Sequence, residues 1–399
     1  MAQSIDIVGT ALAQDTRALR ELSLALHENP ELSGAEHNAH ALLADFLESR
    51  EFSLTREAAG MSTAFVAEWG SPSASSDAVT VAFVSEFDAL PAIGHACGHN
   101  LIAITGVAAA LSLQAFIKAT DADARIKLFG TPAEETWGGK INFIEQGFFT
   151  DVDVAMMTHP GNVNVTWAKY LALSALVVDY HGKSAHAASN PWDGANALDA
   201  LVQAYNSTSM LRQQVLPTTR IHGIIKKGGD APNIIPQHTQ AEFMLRTEKL
   251  SDLNALRPKI NSIFEAAALA TGTTAKVKYD PVFEDVVINS NLAKRFEAYA
   301  RDSGCVFPSE EKQKSKSYGS TDMGNITHVV PGIHPIFDIE STSSDIHTDD
   351  FREGAATAVA HDAAVRAAKC LALTAIDFIT DAEFRNAVRA EFEATSQEF

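Results

Sequence analysis

At 399 residues the chain is longer than one compact core ordinarily holds, so two domains are expected. With 50 acidic against 31 basic residues the formal net charge is -19, which argues against a nucleic-acid or anionic-membrane partner and is compatible with a cationic substrate. The hydrophobic share of 46% is that of a globular protein, no uninterrupted apolar run long enough to span a bilayer stands out, and Met1-Ala2-Gln3-Ser4-Ile5-Asp6 has neither the basic nor the apolar region of a secretory signal.

In chain order, apolar residues recur at helical spacing from about Ile7 to Arg50 (Leu19, Leu22, Leu26, then Ala39, Leu42, Leu43, Phe46, Leu47). A turn at His27–Ser33 separates two helices, because Pro30 disfavours helix at the residue before it. Ser62–Trp69 and Val79–Ser85 read as strands, and Leu101–Phe116 as an apolar helix. Arg125–Gly130 is a strand, followed by a helix through Phe148 and a strand at Val152–Met157. This βαβ alternation predicts a largely parallel sheet flanked by helices. The texture changes near Leu171. A strand at Leu171–Tyr180, a helix at Asn196–Leu211, strands at Thr219–Lys226 and Thr239–Thr247, a helix at Ser251–Ala270 and a strand at Ala275–Tyr279 give β-α-β-β-α-β, a ferredoxin-like unit. The expected division is residues 1–170 and 284–399 as the two parts of a catalytic domain, with 171–283 inserted as a lid or dimerisation domain. A helical segment from Asn291 returns the chain to the βα pattern, a long helix covers Ala355–Ala372, and Asp381–Phe399 reads as an acidic terminal helix and tail. The three cysteines, Cys97, Cys305 and Cys370, cannot form a disulfide framework and suit a reducing compartment, so the expected location is cytoplasmic.

The chemistry collects at strand ends. Val79–Val84 runs out at Asp88-Ala89-Leu90-Pro91, and Cys97-Gly98-His99 opens the next helix. The strand after it ends at Thr131-Pro132-Ala133-Glu134-Glu135, and the following one at Thr158-His159-Pro160-Gly161. Open α/β sheets bind ligands at this carboxyl edge. Thiolate, imidazole and carboxylate are zinc ligands, and catalytic zinc uses three protein ligands. Cys97, His99, Glu135, His159 and His347 are too many for one such ion and point to a two-metal centre. In a strand-end turn, neighbouring side chains diverge. One of the pair is therefore read as a ligand and the other as the general base that deprotonates the attacking water; Glu135 is assigned to the metals and Glu134 as the base.

The Asp88–Pro91 run, the His95–Asn100 run, Pro132-Ala133-Glu134-Glu135 and Gly182-Lys183-Ser184-Ala185-His186-Ala187 resemble the co-catalytic metallopeptidase family of aminoacylase and carboxypeptidase G. Within it the chain is similar to the amidohydrolase branch, which includes p-aminobenzoyl-glutamate hydrolases. Asn100, the Ser320–Asn325 run and Pro331-Gly332-Ile333-His334-Pro335 look closest to the aminoacylase-like dipeptidases that act on β-alanyl-lysine or Xaa-Arg. The likeness spans nearly the whole chain. It implies an α/β, zinc-peptidase-like fold with a mostly parallel mixed sheet flanked by helices, and a homodimer paired through the inserted α+β domain. It also implies two divalent metals on the five residues above (zinc, with manganese or cobalt as alternatives). Asp88 is implied to orient a ligand imidazole, and Glu86 stands where carboxypeptidase G-like members have His. His186 is implied as the oxyanion donor reaching a partner's active site. Asn233 and Arg246, with backbone N–H groups at Gly319 and Ser320, are implied to hold a substrate α-carboxylate. The expected reaction is hydrolysis of a dipeptide or N-acyl amino acid; N-acyl- or aryl-amide hydrolysis is the alternative, and a silent binding protein the remote one. His334 is left between an accessory role at the metals and a structural one. His27, His37, His40, His222, His238, His328 and His361 are expected to be surface or packing residues.

Overall fold

In this computed structural model the described residues are 2–397; Met1 and the end of the expected terminal tail, residues 398–399, lie outside them. The chain divides into two compact units, residues 1–169 with 286–399, and residues 170–285.

The first unit is built on six strands in the order β1-β2-β4-β3-β5-β11: Ser53–Arg56 (β1), Phe65–Gly70 (β2), Val79–Glu86 (β3), Ala124–Thr131 (β4), Val154–Met156 (β5) and Gly332–Ile333 (β11). Numbers β6 to β10 and β12 belong to His159–Gly161, Ala172–His181, Arg220–Lys227, His238–Thr247, Thr274–Tyr279 and Ile336–Asp338. β4, β3, β5 and β11 are parallel and β1 and β2 join antiparallel, which makes the mostly parallel mixed sheet that was expected. β1 was not expected from sequence: only four residues long and mostly exposed, it lacks the apolar pattern by which a strand is recognised.

β3 is covered on both faces, which is why it reads as a continuous apolar run. Its Val81 and Phe83 enter a core under the helices Ala2–Glu28, His99–Thr120 and Ala358–Thr380. Its Ala82 and Val84 point to the opposite core, beside Phe143, Met323 and Ile326. The period of two carries forward to Glu86, the last residue of the strand. His99–Thr120 is long and apolar enough to cross a membrane, contrary to the reading from sequence. In this fold 94% of its most apolar stretch is buried, as a helix covered by neighbours on all sides must be.

The second unit has the strand order β10-β7-β9-β8, antiparallel throughout, with the helices Ala197–Leu211 and Leu250–Thr271 packed on it. Inward residues Leu176, Val178 and Tyr180 of β7 alternate with half-exposed ones, the pattern of a sheet covered on one face. Asn196 caps the first helix by accepting from the Leu198 N–H.

Candidate metal centre

The first unit gathers its metal-type side chains at the carboxyl edge of the parallel strands. Gly98, at φ +80°, makes the tight step between Cys97 and His99; a Cβ there would lie 2.6 Å from Pro160, so only glycine fits. The step brings the Cys97 Sγ to 3.4 Å from His159 Nε2. The His159 Nδ1–H donates to the Pro160 carbonyl at 2.7 Å, which leaves Nε2 as the bare ring nitrogen. His99 Nδ1 donates to Asp88 Oδ1 at 3.0 Å and turns its own Nε2 inward. Asp88 Oδ2 accepts from the Glu135 N–H at 3.0 Å and from the Ser33 hydroxyl at 2.7 Å. One buried carboxylate thus orients an imidazole and the backbone of the neighbouring glutamate, as carboxylates behind metal-binding histidines do. Burial would raise the Asp88 pKa, but the bond to His99 outweighs it and holds the carboxyl at about 2.

Two trios of ligand atoms result, Cys97–His99–His159 and Cys97–Glu135–His347, each with its atoms within 4.8 Å of one another. Cys97 belongs to both. His99 Nε2 and Glu135 Oε1 are buried, lie 3.7 Å apart and have no hydrogen-bond partner. An inward-facing nitrogen and an inward-facing carboxylate oxygen left unpaired are what a cation would satisfy. Burial, and then the Glu135 carboxylate, push the Cys97 thiol well above its ordinary range; a coordinated cation would deprotonate it outright. The donor set therefore fits two divalent ions.

His347 is half-exposed, in the left-handed region at φ 65°, with its N–H on the Ala96 carbonyl at 2.8 Å. Ala133 is likewise left-handed at φ 62°, and its N–H is fixed on Glu36 Oε1 at 2.9 Å. Residues with a Cβ in that region cost energy and concentrate at functional sites. Here the strain bends the chain directly before Glu134 and at His347. Glu134 lies with Glu86 and His99 in a third close group. Burial raises its pKa, followed by the neighbouring carboxylates of Glu86, Glu135 and Asp322. His334 is buried with its ring edge-on to His159, centroids 5.9 Å apart. Gly319 (φ +102°) and Ser320 are half-buried in the loop that leads to Asp322.

Glu36, Ser33 and Lys140 escaped the sequence reading. Glu36 and Ser33 sit in a turn whose polar residues look like solvent-facing loop, and Lys140 follows two glycines with the composition of a helix start. Only for Glu86 did the sequence hold a direct signal, the period of two along β3.

In the second unit, His186 and Asn233 stand on adjacent loops joined by the Ala187 N–H to Asn233 carbonyl bond at 3.0 Å. His186 Nδ1 accepts from the N–H groups of Ala188 and Ser189 at 3.2 and 3.1 Å, so the ring proton sits on Nε2 and is ready to donate. Arg246, the residue before the end of β9, is half-buried, and burial lowers its pKa.

Residues 173–272 match the family model of a peptidase dimerisation domain. The chain is 43% identical over 388 residues to an Xaa-Arg dipeptidase of Mus musculus and 42% identical over 395 residues to that of Homo sapiens, in each case across 95% of this chain and 90% of the relative. Among solved structures it resembles an aminobenzoyl-glutamate utilization protein from Klebsiella pneumoniae (TM-score 0.71, 17% identity, 94% of this chain and 99% of that one). A dinuclear metal-binding peptidase of Bacillus subtilis from the M20 family also shares the fold (TM-score 0.62, 18% identity, 89% and 98%). The chain belongs to the M20 peptidase family and is a metal-dependent hydrolase of amide bonds. Its Xaa-Arg dipeptidase relatives place it on the aminoacylase-like branch.

Proposed function

We propose that this protein is a cytoplasmic homodimeric dipeptidase that removes a basic C-terminal residue, and that Cys97, His99, Glu135, His159 and His347 would hold two zinc ions for that reaction. One observation carries the reading: a single sulfur belongs to both trios, so five side chains serve two ions. Thiolate favours zinc over manganese or cobalt. The identity with Xaa-Arg dipeptidases supports the substrate.

When bound, the ions acidify water and polarise the scissile carbonyl. Glu134 takes the proton of the attacking water and returns it to the leaving amine; its raised pKa suits a group that must hold that proton between the two steps. Asp88 keeps His99 in one tautomer throughout. The partner subunit's His186 donates from Nε2 to the tetrahedral oxyanion. Arg246, Asn233 and the N–H groups of Gly319 and Ser320 grip the α-carboxylate of the leaving residue. The dimer reading is supported within the second unit by edge strand β8, which leaves Ile224 58% exposed, and by Met210, 69% exposed on the first helix.

The testing experiment is hydrolysis, with added zinc, manganese or cobalt, of β-alanyl-lysine, an Xaa-Arg dipeptide, N-acetyl and N-benzoyl amino acids and p-aminobenzoyl-glutamate. Metal-dependent cleavage confined to the basic dipeptides is expected. The second reading, an aryl-amide hydrolase, is favoured by 22% identity over 96% of the chain to a p-aminobenzoyl-glutamate hydrolase component of Escherichia coli; cleavage of the last substrate in place of the dipeptides would establish it.

A further inference from the structure

Lys140 is fully buried, and so are the two carboxylates it meets. Its Nζ lies 2.5 Å from Glu86 Oε1 and 2.5 Å from Asp322 Oδ1, while its backbone N–H donates to Asp322 Oδ2 at 3.0 Å. One residue thus holds both oxygens of Asp322. Glu86 arrives by the period of β3, on the face where the helices Gly139–Glu145 and Met323–Thr327 pack. The residues before Lys140 are joined to the turn of the proposed base. The Gly138 N–H donates to the Ala133 carbonyl at 2.9 Å and the Gly139 N–H to the Pro132 carbonyl at 3.2 Å. A Cβ on Gly139 would lie 2.3 Å from that carbonyl oxygen, so the close approach demands glycine. On the other side, Asp322 follows Gly319-Ser320-Thr321 directly.

Burying one cation with two carboxylates among Phe143, Met323 and Ile326 is a poor way to gain stability, since an apolar trio in the same space avoids the desolvation cost. What the triad supplies is a rigid, directional link between two segments 182 residues apart in sequence.

We propose that Lys140 is a positioning residue that fastens the Gly319–Ser320 loop to the Glu134 turn, and thereby sets the distance between the grip on the substrate carboxylate and the scissile bond. This rests on the reading of that loop as part of the α-carboxylate subsite. Misplacing a binding group by about 1 Å is enough to lose ~10²-fold in rate.

The test compares the metal-loaded wild-type dimer with Lys140→Met, Asp322→Asn and the double variant Glu86→Gln/Lys140→Met on a basic dipeptide and on its C-terminal carboxamide. kcat and KM are measured for both substrates, with metal content per subunit and thermal melting. For Lys140→Met we expect a ~10²-fold loss of kcat/KM on the dipeptide, a far smaller loss on the carboxamide, which does not use the subsite, and unchanged metal content. Asp322→Asn, nearly isosteric, should show the same collapse of carboxylate preference to a lesser degree. The double variant keeps the net charge of the triad and decides the matter if Lys140→Met alone does not fold. Continued loss of preference supports positioning, whereas recovery of the preference overturns it in favour of charge balance. Equal losses on both substrates, or loss of metal, would also overturn it. A wild-type enzyme indifferent to carboxylate against carboxamide removes the subsite reading itself, and this inference with it; that outcome is visible without any variant.

Discussion

In the unit of residues 1–169 and 286–399, Asp88, His99, Glu86, Lys140 and Asp322 sit buried near strand ends, and each is hydrogen-bonded to another buried group. In the unit of residues 170–285, His186 and Asn233 stand exposed on loops, and edge strand β8 carries Ile224 and Ile225 to the surface. The first arrangement lies within one chain: Asp88, Glu36 and Lys140 fix their neighbours through hydrogen bonds of the chain itself. In the proposed function, the second is completed by the partner subunit. Burial preorganises the first set of side chains, whereas exposure leaves the second free to meet a substrate or a second subunit.

The sharpest way to break this contrast is at the base. Glu134→Gln keeps shape and hydrogen-bonding capacity but cannot take a proton; a fall in kcat of ~10³-fold or more with both metals retained is expected, read by steady-state kinetics beside metal analysis. Wild-type turnover would remove Glu134 from the mechanism.

Next in size is His186→Ala, expected to lower kcat by ~10²–10³-fold, the worth of an oxyanion donor. If the partner's His186 serves each site, refolding a mixture of His186→Ala and Glu134→Gln subunits restores activity, because one of the two sites in the mixed dimer is intact. A mixture as inactive as its components means that each chain uses its own His186.

Asp88→Asn loosens the His99 ring and the Glu135 backbone without touching a ligand atom, and should weaken metal affinity by ~10–100-fold, measured by competition with a chelator. Unchanged affinity would reduce Asp88 to a packing role.

The smallest effect on the chain itself is expected for Ile224→Lys. An exposed substitution on β8 should shift subunit stability by no more than ~0.5 kcal/mol, seen by melting under dissociating conditions, while sedimentation shows monomers and activity falls with dimer content. A dimer that persists with Lys at 224 places the interface elsewhere.

The sequence alone carried the strand–helix alternation, the ferredoxin-like insertion and the strand-end placement of Asp88, Cys97, His99, Glu134, Glu135 and His159, because hydrophobic period and turn chemistry are local. The same locality explains the misses. β1 is too short and too exposed to show a period, and the apolar length of His99–Thr120 means nothing until its neighbours are known. Which thiol serves both trios, which imidazole nitrogen faces inward, and how Lys140 comes to hold Glu86 and Asp322 were decided only by tertiary structure. Those are distances between groups that meet only when separate segments pack, and an isolated lysine or glutamate in a sequence looks the same whether it will face water or be sealed against its opposite charge.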